Sequence, residues 1–284
     1  MTSGGDKVVS FAGLTLDRPR IMGVINVTPD SFSDAGEALK PEDAIERGRA
    51  MLDAGADILD VGGESTRPGA DPVDAGEEMA RVLPVVKGLS ELGALVSIDT
   101  RRAEVMKAAI QAGAKIVNDV TALTGDPESP SVVAESGLPV VLMHMQGEPG
   151  TMQENPQYGD AAAEVFDYLK QRVADCGAAG IEASRIAIDP GIGFGKKVAH
   201  NLEILNRLDL YRDFGPPVLI GVSRKSFIGK ISRDEPPKDR VPGSIAAQLT
   251  AFSQGVRLFR VHDVAETRQS LEVWQAIEAA GSGA

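Results

Sequence analysis

Eight short apolar or β-rich runs recur along this chain, and their spacing limits its folds more than any other feature. They are IMGVINVT from Ile21, ILDVGG from Ile58, LVSIDT from Leu95, IVNDV from Ile116, VVLMHM from Val140, IAIDPG from Ile186, VLIGVS from Val218 and LFRVHD from Leu258. Their starts lie about 34 residues apart on average, the room needed for a strand, a loop and a covering helix. Between them the pattern turns helical. Val105, Ala108, Ala109 and Ala112 follow the i, i+3, i+4, i+7 rule with Gly113 as a stop, Asp160 to Ala179 reads as a long helix, and Val264, Leu271, Trp274 and Ile277 mark one face of a last helix. Runs such as VVLM do not alternate with polar residues, as expected where both faces of a parallel sheet are covered. The expectation is an α/β fold, a closed (β/α)8 TIM barrel, forming a single domain over 1–284. A doubly wound open sheet is the alternative, but no GxGxxG follows the first run. Upstream, VVSFAGLTLD suggests a short N-terminal β-hairpin around Gly13 that plugs the barrel bottom.

Composition narrows the class. The 29 Lys and Arg against 41 Asp and Glu leave a formal charge of -12, which repels nucleic acid and anionic membranes on average. Three histidines and one cysteine supply little for a soft-metal cluster, whereas a hard ion on oxygen ligands stays open. With one cysteine, no long apolar run and no secretory pattern in MTSGGDKVVS, a cytoplasmic protein is expected.

In a barrel the loops after the strands gather at one face, so polar residues at strand ends can share a pocket. Asn26, Asp60, Glu64, Asp99, Asn118, His144, Asp189, Lys225, Arg260 and His262 fall at or near such ends. Asn26 could serve an ion or a phosphate, or cap its own turn. GGESTRPGA offers Thr66 and Arg67 on a glycine-permitted loop suited to an anionic substrate, although a solvated arginine fits the same letters. Asp99 and Asp189 could pair with the donor edge of a heterocycle beside Asn118, or cap helices. DPGIGFGK could bring Phe194 over a flat ligand. In SRKS, at most one of the adjacent cations is expected to point inward. In RVHD, Arg260 and His262 alternate onto one side and could reach one polyanion. The Met143, Met145 and Met152 group reads as packing, with Met143 able to line an apolar wall, and Cys176 as inert filling.

The ordered motifs, from IMGVINVTPDSFSDAG through GADILDVGGESTRPGA, LMHMQGEPGTMQ, DPGIGFGK and GVSRKSFIGK to RLFRVHDVAETRQSL, closely resemble the dihydropteroate synthase family over nearly the whole chain. That resemblance implies a cytoplasmic transferase of folate biosynthesis, a sulfonamide target. It would join 6-hydroxymethyl-7,8-dihydropterin diphosphate to 4-aminobenzoate and release diphosphate with Mg²⁺. It implies a pterin pocket of Asp99, Asn118, Met143, Asp189 and Lys225, with Phe194 nearby on a flexible loop. It places Asn26, as metal ligand, with Arg67, Arg260 and His262 around the diphosphate and Mg²⁺. Thr66, Arg67, Pro68, Lys225 and Ser226 fall on the aminobenzoate side. Asn26, Arg67, Asp99, Lys225, Arg260 and His262 are the implied catalytic set, and two barrels pack as a homodimer through their late helices. Rival readings are a pterin-dependent methyltransferase, which gives poorer reasons for STRPG, SRKS and RVHD together, and a catalytically inactive pterin-binding paralogue.

Overall fold

The computed structural model describes residues 9–28, 40–65, 73–148 and 150–281. The chain opens with β1 (Ser10–Phe11) and β2 (Leu14–Thr15), paired antiparallel through Ala12 and Gly13. Both turn residues have positive φ, 52° and 78°, the geometry whose twist suits a two-residue hairpin.

Eight parallel strands follow: β3 (Arg20–Asn26), β4 (Ile58–Gly62), β5 (Val96–Asp99), β6 (Ile116–Asp119), β7 (Val140–Met143), β8 (Ile186–Asp189), β9 (Leu219–Ile220) and β10 (Leu258–Val261). Each of the eight apolar runs forms one of them. Their order in the sheet is β8-β7-β6-β5-β4-β3-β10-β9. A parallel bridge between Ile188 and Val218 joins the two ends, so the sheet curls into the expected (β/α)8 TIM barrel.

Helices α1 (Pro41–Asp53), α2 (Ala75–Glu91), α3 (Ala103–Ala112), α4 (Ser129–Ser136), α5 (Ala161–Ala178), α6 (Val198–Asn206), α7 (Asp209–Arg212), α8 (Ser226–Ile231), α9 (Val241–Ser253) and α10 (Val264–Gly281) run between and after the strands. Their ends follow local chemistry. Asp74 and Asp160 cap α2 and α5 by accepting from the backbone N–H of Glu77 and Ala163. Gly113 ends α3 at φ 117°, where a side chain would be strained. Buried faces such as Val82, Val85, Val86 and Leu89 of α2 join one continuous apolar core with the strands. Among the described residues, no helix is long and apolar enough to cross a membrane.

The hairpin lies where the sequence places it. Phe11 and Leu16 pack with Met22, Ile58, Ile116, Val141, Ala187, Leu219 and Leu258, at or near the strand starts, and close the bottom of the barrel. The last helix departs from expectation at one position: Val264, Leu271 and half-buried Trp274 pack on the core, but Ile277 is 65% exposed.

Candidate active site at the barrel mouth

The other end of the barrel holds a cavity of about 1670 Å³. It is larger than a usual single-ligand pocket of roughly 300–1,000 Å³. Asn26, Asp99, Asn118, Met143, Asp189, Phe194, Lys225, Ser226, Arg260 and His262 all line it. Thr66, Arg67 and Pro68 lie outside the described residues.

The floor is a charge network that spans four strands. Arg260 on β10 donates through Nε to Asp60 Oδ2 on β4 (2.7 Å) and through Nη2 to Asp99 Oδ2 on β5 (2.7 Å). Asn118 on β6 donates from Nδ2 to the same Asp60 oxygen (3.0 Å). Burial disfavours a charged Arg260, but the two carboxylates outweigh it and hold the guanidinium ionised well beyond neutral pH. Asp99 is pushed up to about 7, mainly by burial and then by Asp60, Glu78 and Asp119, against the pull of Arg260. Asp99, expected in a pterin pocket, is thus in direct contact with Arg260, the residue expected at a diphosphate.

Asp189 ends β8 with its Oδ1 accepting from Gly191 N (2.7 Å), and burial raises its pKa despite nearby Lys225, Arg260 and Lys196. Lys225 lies 3.9 Å above the Phe194 ring centroid, a cation–π contact that also fixes a flat wall. Its pKa is pulled down to about 8, first by burial and then by Arg260. Arg224 adopts φ 60° and pairs through two nitrogens with Asp263, yet it lines the cavity together with Lys225, so the wide mouth reaches both adjacent cations and not only one as expected.

The glycine-rich loop that carries Phe194 is held by a set of hydrogen bonds. Lys196 Nζ, 3% exposed, meets His144 Nδ1 (2.9 Å) and the carbonyl oxygens of Gly191 (2.9 Å) and Phe194 (3.0 Å). Gly193 N donates to Asn201 Oδ1 (2.7 Å), and Tyr158 OH donates to Gly195 O (2.9 Å). A Cβ at Gly191 would stand 1.9 Å from His144 O, which explains the glycine. Burial and neighbouring Lys196 keep His144 neutral, with a pKa near 2, so it serves as an acceptor for the lysine. Met143, Met152, Val120 and Phe194 form a small apolar cluster, the packing role expected of the methionines.

His262 is likewise neutral, lowered to about 3 by burial and then by Arg260, Arg224, Lys225 and Arg47. Its Nδ1 pairs with Ser223 Oγ (3.1 Å). It can offer a polyanion a hydrogen bond, whereas Arg260 offers charge. Glu64, at the foot of the STRPG segment, accepts from Arg101 (3.0 Å) and Arg102 (2.9 Å), and these hold its carboxyl below the usual range despite burial.

Lys196, Arg47, Thr28 and Ser223, which carry no site role in the sequence motifs, also line the cavity. Lys196 closes the same DPGIGFGK motif that holds Phe194; Arg47 lies within α1 and carries no local signal. Among the described residues no group of three or more His, Cys, Asp or Glu could hold a metal ion.

A barrel with a deep polar mouth, a flat aromatic wall and opposed charges defines a class of small-molecule enzymes, and the family model described as pterin binding enzyme matches residues 22–262. The dihydropteroate synthase of Escherichia coli (strain K12) is 46% identical over 264 residues, covering 93% of each chain. Two solved structures of the Xanthomonas albilineans dihydropteroate synthase are similar to it throughout. The structure with 4-aminobenzoic acid has a TM-score of 0.88 and 49% identity over 94% of this chain and 95% of that one. The structure in complex with 7,8-dihydropteroate has a TM-score of 0.85 and 46% identity over 94% and 96%. The chain belongs to the pterin-binding enzymes and, within them, to the dihydropteroate synthase family.

Proposed function

We propose that the mouth binds the pterin diphosphate and 4-aminobenzoate side by side and joins them as dihydropteroate synthases do. The observation that carries this reading is the convergence of Asn118, Asp189, Lys225, Arg260 and His262 on one cavity large enough for both. A solved relative holds 4-aminobenzoic acid and another complex holds 7,8-dihydropteroate, the two molecules this reading needs as substrate and product.

The pterin's N–H edge pairs with Asp189, its acceptors meet Lys225, and its plane packs against Phe194 and Met143. As the C–O bond of the exocyclic methylene breaks, diphosphate leaves with the electron pair, and Arg260 and His262 stabilise the growing charge. The aromatic amine forms the new C–N bond at that carbon and then loses a proton. No enzyme nucleophile takes part. Reduced-pterin electron donation favours extensive bond breaking before attack.

Asn26, at the end of β3 on the cavity wall, supplies one hard oxygen ligand, which suits Mg²⁺ bound chiefly through substrate phosphates and water. When bound, the ion would neutralise leaving-group charge. Thr66, Arg67, Pro68 and Ser226 belong to the aminobenzoate side in this reading, with Arg67 also reaching the diphosphate. A second copy packing through the late helices is part of the same proposal, and exposed Val273 and Ile277 on α10 offer apolar surface to it. Incubation with both substrates, with and without Mg²⁺, tests the reaction. Condensed product and diphosphate in equal amounts are expected; methyl transfer, or binding without product, would contradict it.

A further inference from the structure

We infer that Asp60 is a positioning residue that ties the pterin-facing amide of Asn118 to the leaving-group guanidinium of Arg260 through a single carboxylate oxygen. The inference rests on the functional reading above. Asp60 is fully buried in β4 and is absent from the cavity lining, so it acts through its neighbours. Its Oδ2 accepts both from Asn118 Nδ2 at 3.0 Å and from Arg260 Nε at 2.7 Å. Its Oδ1 is buried and takes no hydrogen bond among the described residues. The hold of this carboxylate is therefore concentrated in the oxygen shared by those two donors.

Packing alone gives no reason for an acid here. A buried ion pair is often matched or bettered in stability by apolar residues of similar size, and the neighbours of Asp60 along β4 are Leu59 and Val61. The acid does two specific things. It turns the Asn118 amide so that Nδ2 faces the strand bundle, which leaves the carbonyl oxygen as the group presented to a ligand, an acceptor for a ring N–H. It also fixes the Arg260 plane, since Nε is held by Asp60 while Nη2 is held by Asp99. One oxygen thus sets both the ring edge recognised at Asn118 and the direction from which the diphosphate meets positive charge.

The test compares wild type, Asp60→Val and Asp60→Asn by calorimetry with two separate probes, 6-hydroxymethylpterin and inorganic diphosphate with Mg²⁺. Asp60→Val is expected to lose about tenfold or more in affinity for each probe, while Asp60→Asn, which keeps an acceptor in the shared place, recovers most of the pterin affinity. In an Asn118→Ala background Asp60→Val should cause no further pterin loss, and in an Arg260→Lys background no further diphosphate loss. A folded Asp60→Val protein that binds both probes as wild type does, or losses that simply add in both backgrounds, would overturn the assignment. If Asp60→Val does not fold, exchange of the Asn118 side-chain amide protons in the wild type decides: slow exchange supports the tie, and exchange at the solvent rate overturns it. A wild type that binds neither probe overturns the functional reading and this inference together; where the wild type binds both, the variants test Asp60 alone.

Discussion

Arg260 has carboxylates on two of its three guanidinium nitrogens, so its removal has consequences beyond the lost contact with a ligand. Arg260→Ala leaves buried Asp60 and half-buried Asp99 without their cation and is expected to lower stability by about 3 kcal/mol, as well as abolishing diphosphate binding. Denaturant unfolding checks the first part; unchanged stability would show the network to be weakly coupled. Asp189→Asn keeps size but removes the charge offered to the pterin's donors, and a loss of roughly 1.5–3 kcal/mol, about tenfold to hundredfold in pterin affinity, is expected in a folded barrel. Wild-type affinity in that variant would remove Asp189 from the pterin wall. His262 adds a pH effect whose sign is fixed by its pKa near 3 when folded against an ordinary value of 6.5. Below 6.5 the unfolded chain takes a proton that the folded chain refuses, so this contribution is complete above 6.5 and is lost as the pH falls toward 3. Wild type should accordingly lose more thermal stability than His262→Gln between pH 6.5 and 4, and parallel curves would contradict the neutral assignment.

The loop after β8 is the element on which local sequence and tertiary structure meet most closely. Glycines in DPGIGFGK announce a tight turn, but the anchor is Lys196, whose three partners include His144 after β7. A contact across 52 residues has no local sequence signature. Lys196→Met fills the space yet strips the loop carbonyls of their donor, so Phe194 should lose its place over Lys225. About a tenfold fall in pterin affinity is expected, with no further fall when Phe194→Ala is added. Titration of the single and double variants measures this; additive losses would show that Lys196 acts elsewhere. The same distinction explains what could be read in advance. Strand runs, the hairpin and the strand-end residues Asn118, Asp189 and Lys225 follow from periodicity and motif. Asp60's two donors and the anchored loop arise from strand order around the barrel, which no local stretch of sequence displays.

At the scale of the whole barrel, the ring of strands places Asn118, Asp189, Lys225, Arg260 and His262 within one mouth, the residues proposed to serve the pterin and the leaving group. In the proposed function the surface formed by Asn118, Asp189 and Lys225 is ready for the pterin before the second substrate arrives, whereas the aminobenzoate side is completed with diphosphate present. Under the proposed function Arg67 acts in the second stage and Lys225 in the first. A surface-charge account instead gives small, similar, salt-screened losses at both positions. Calorimetry of Lys225→Ala and Arg67→Ala separates the two, first with a pterin analogue and then with 4-aminobenzoate in the presence of pterin, Mg²⁺ and diphosphate. Lys225→Ala should already fail with the pterin alone, and Arg67→Ala should bind the pterin normally but fail in the ternary complex; a normal binary complex for the former or a normal ternary complex for the latter would contradict this order of assembly.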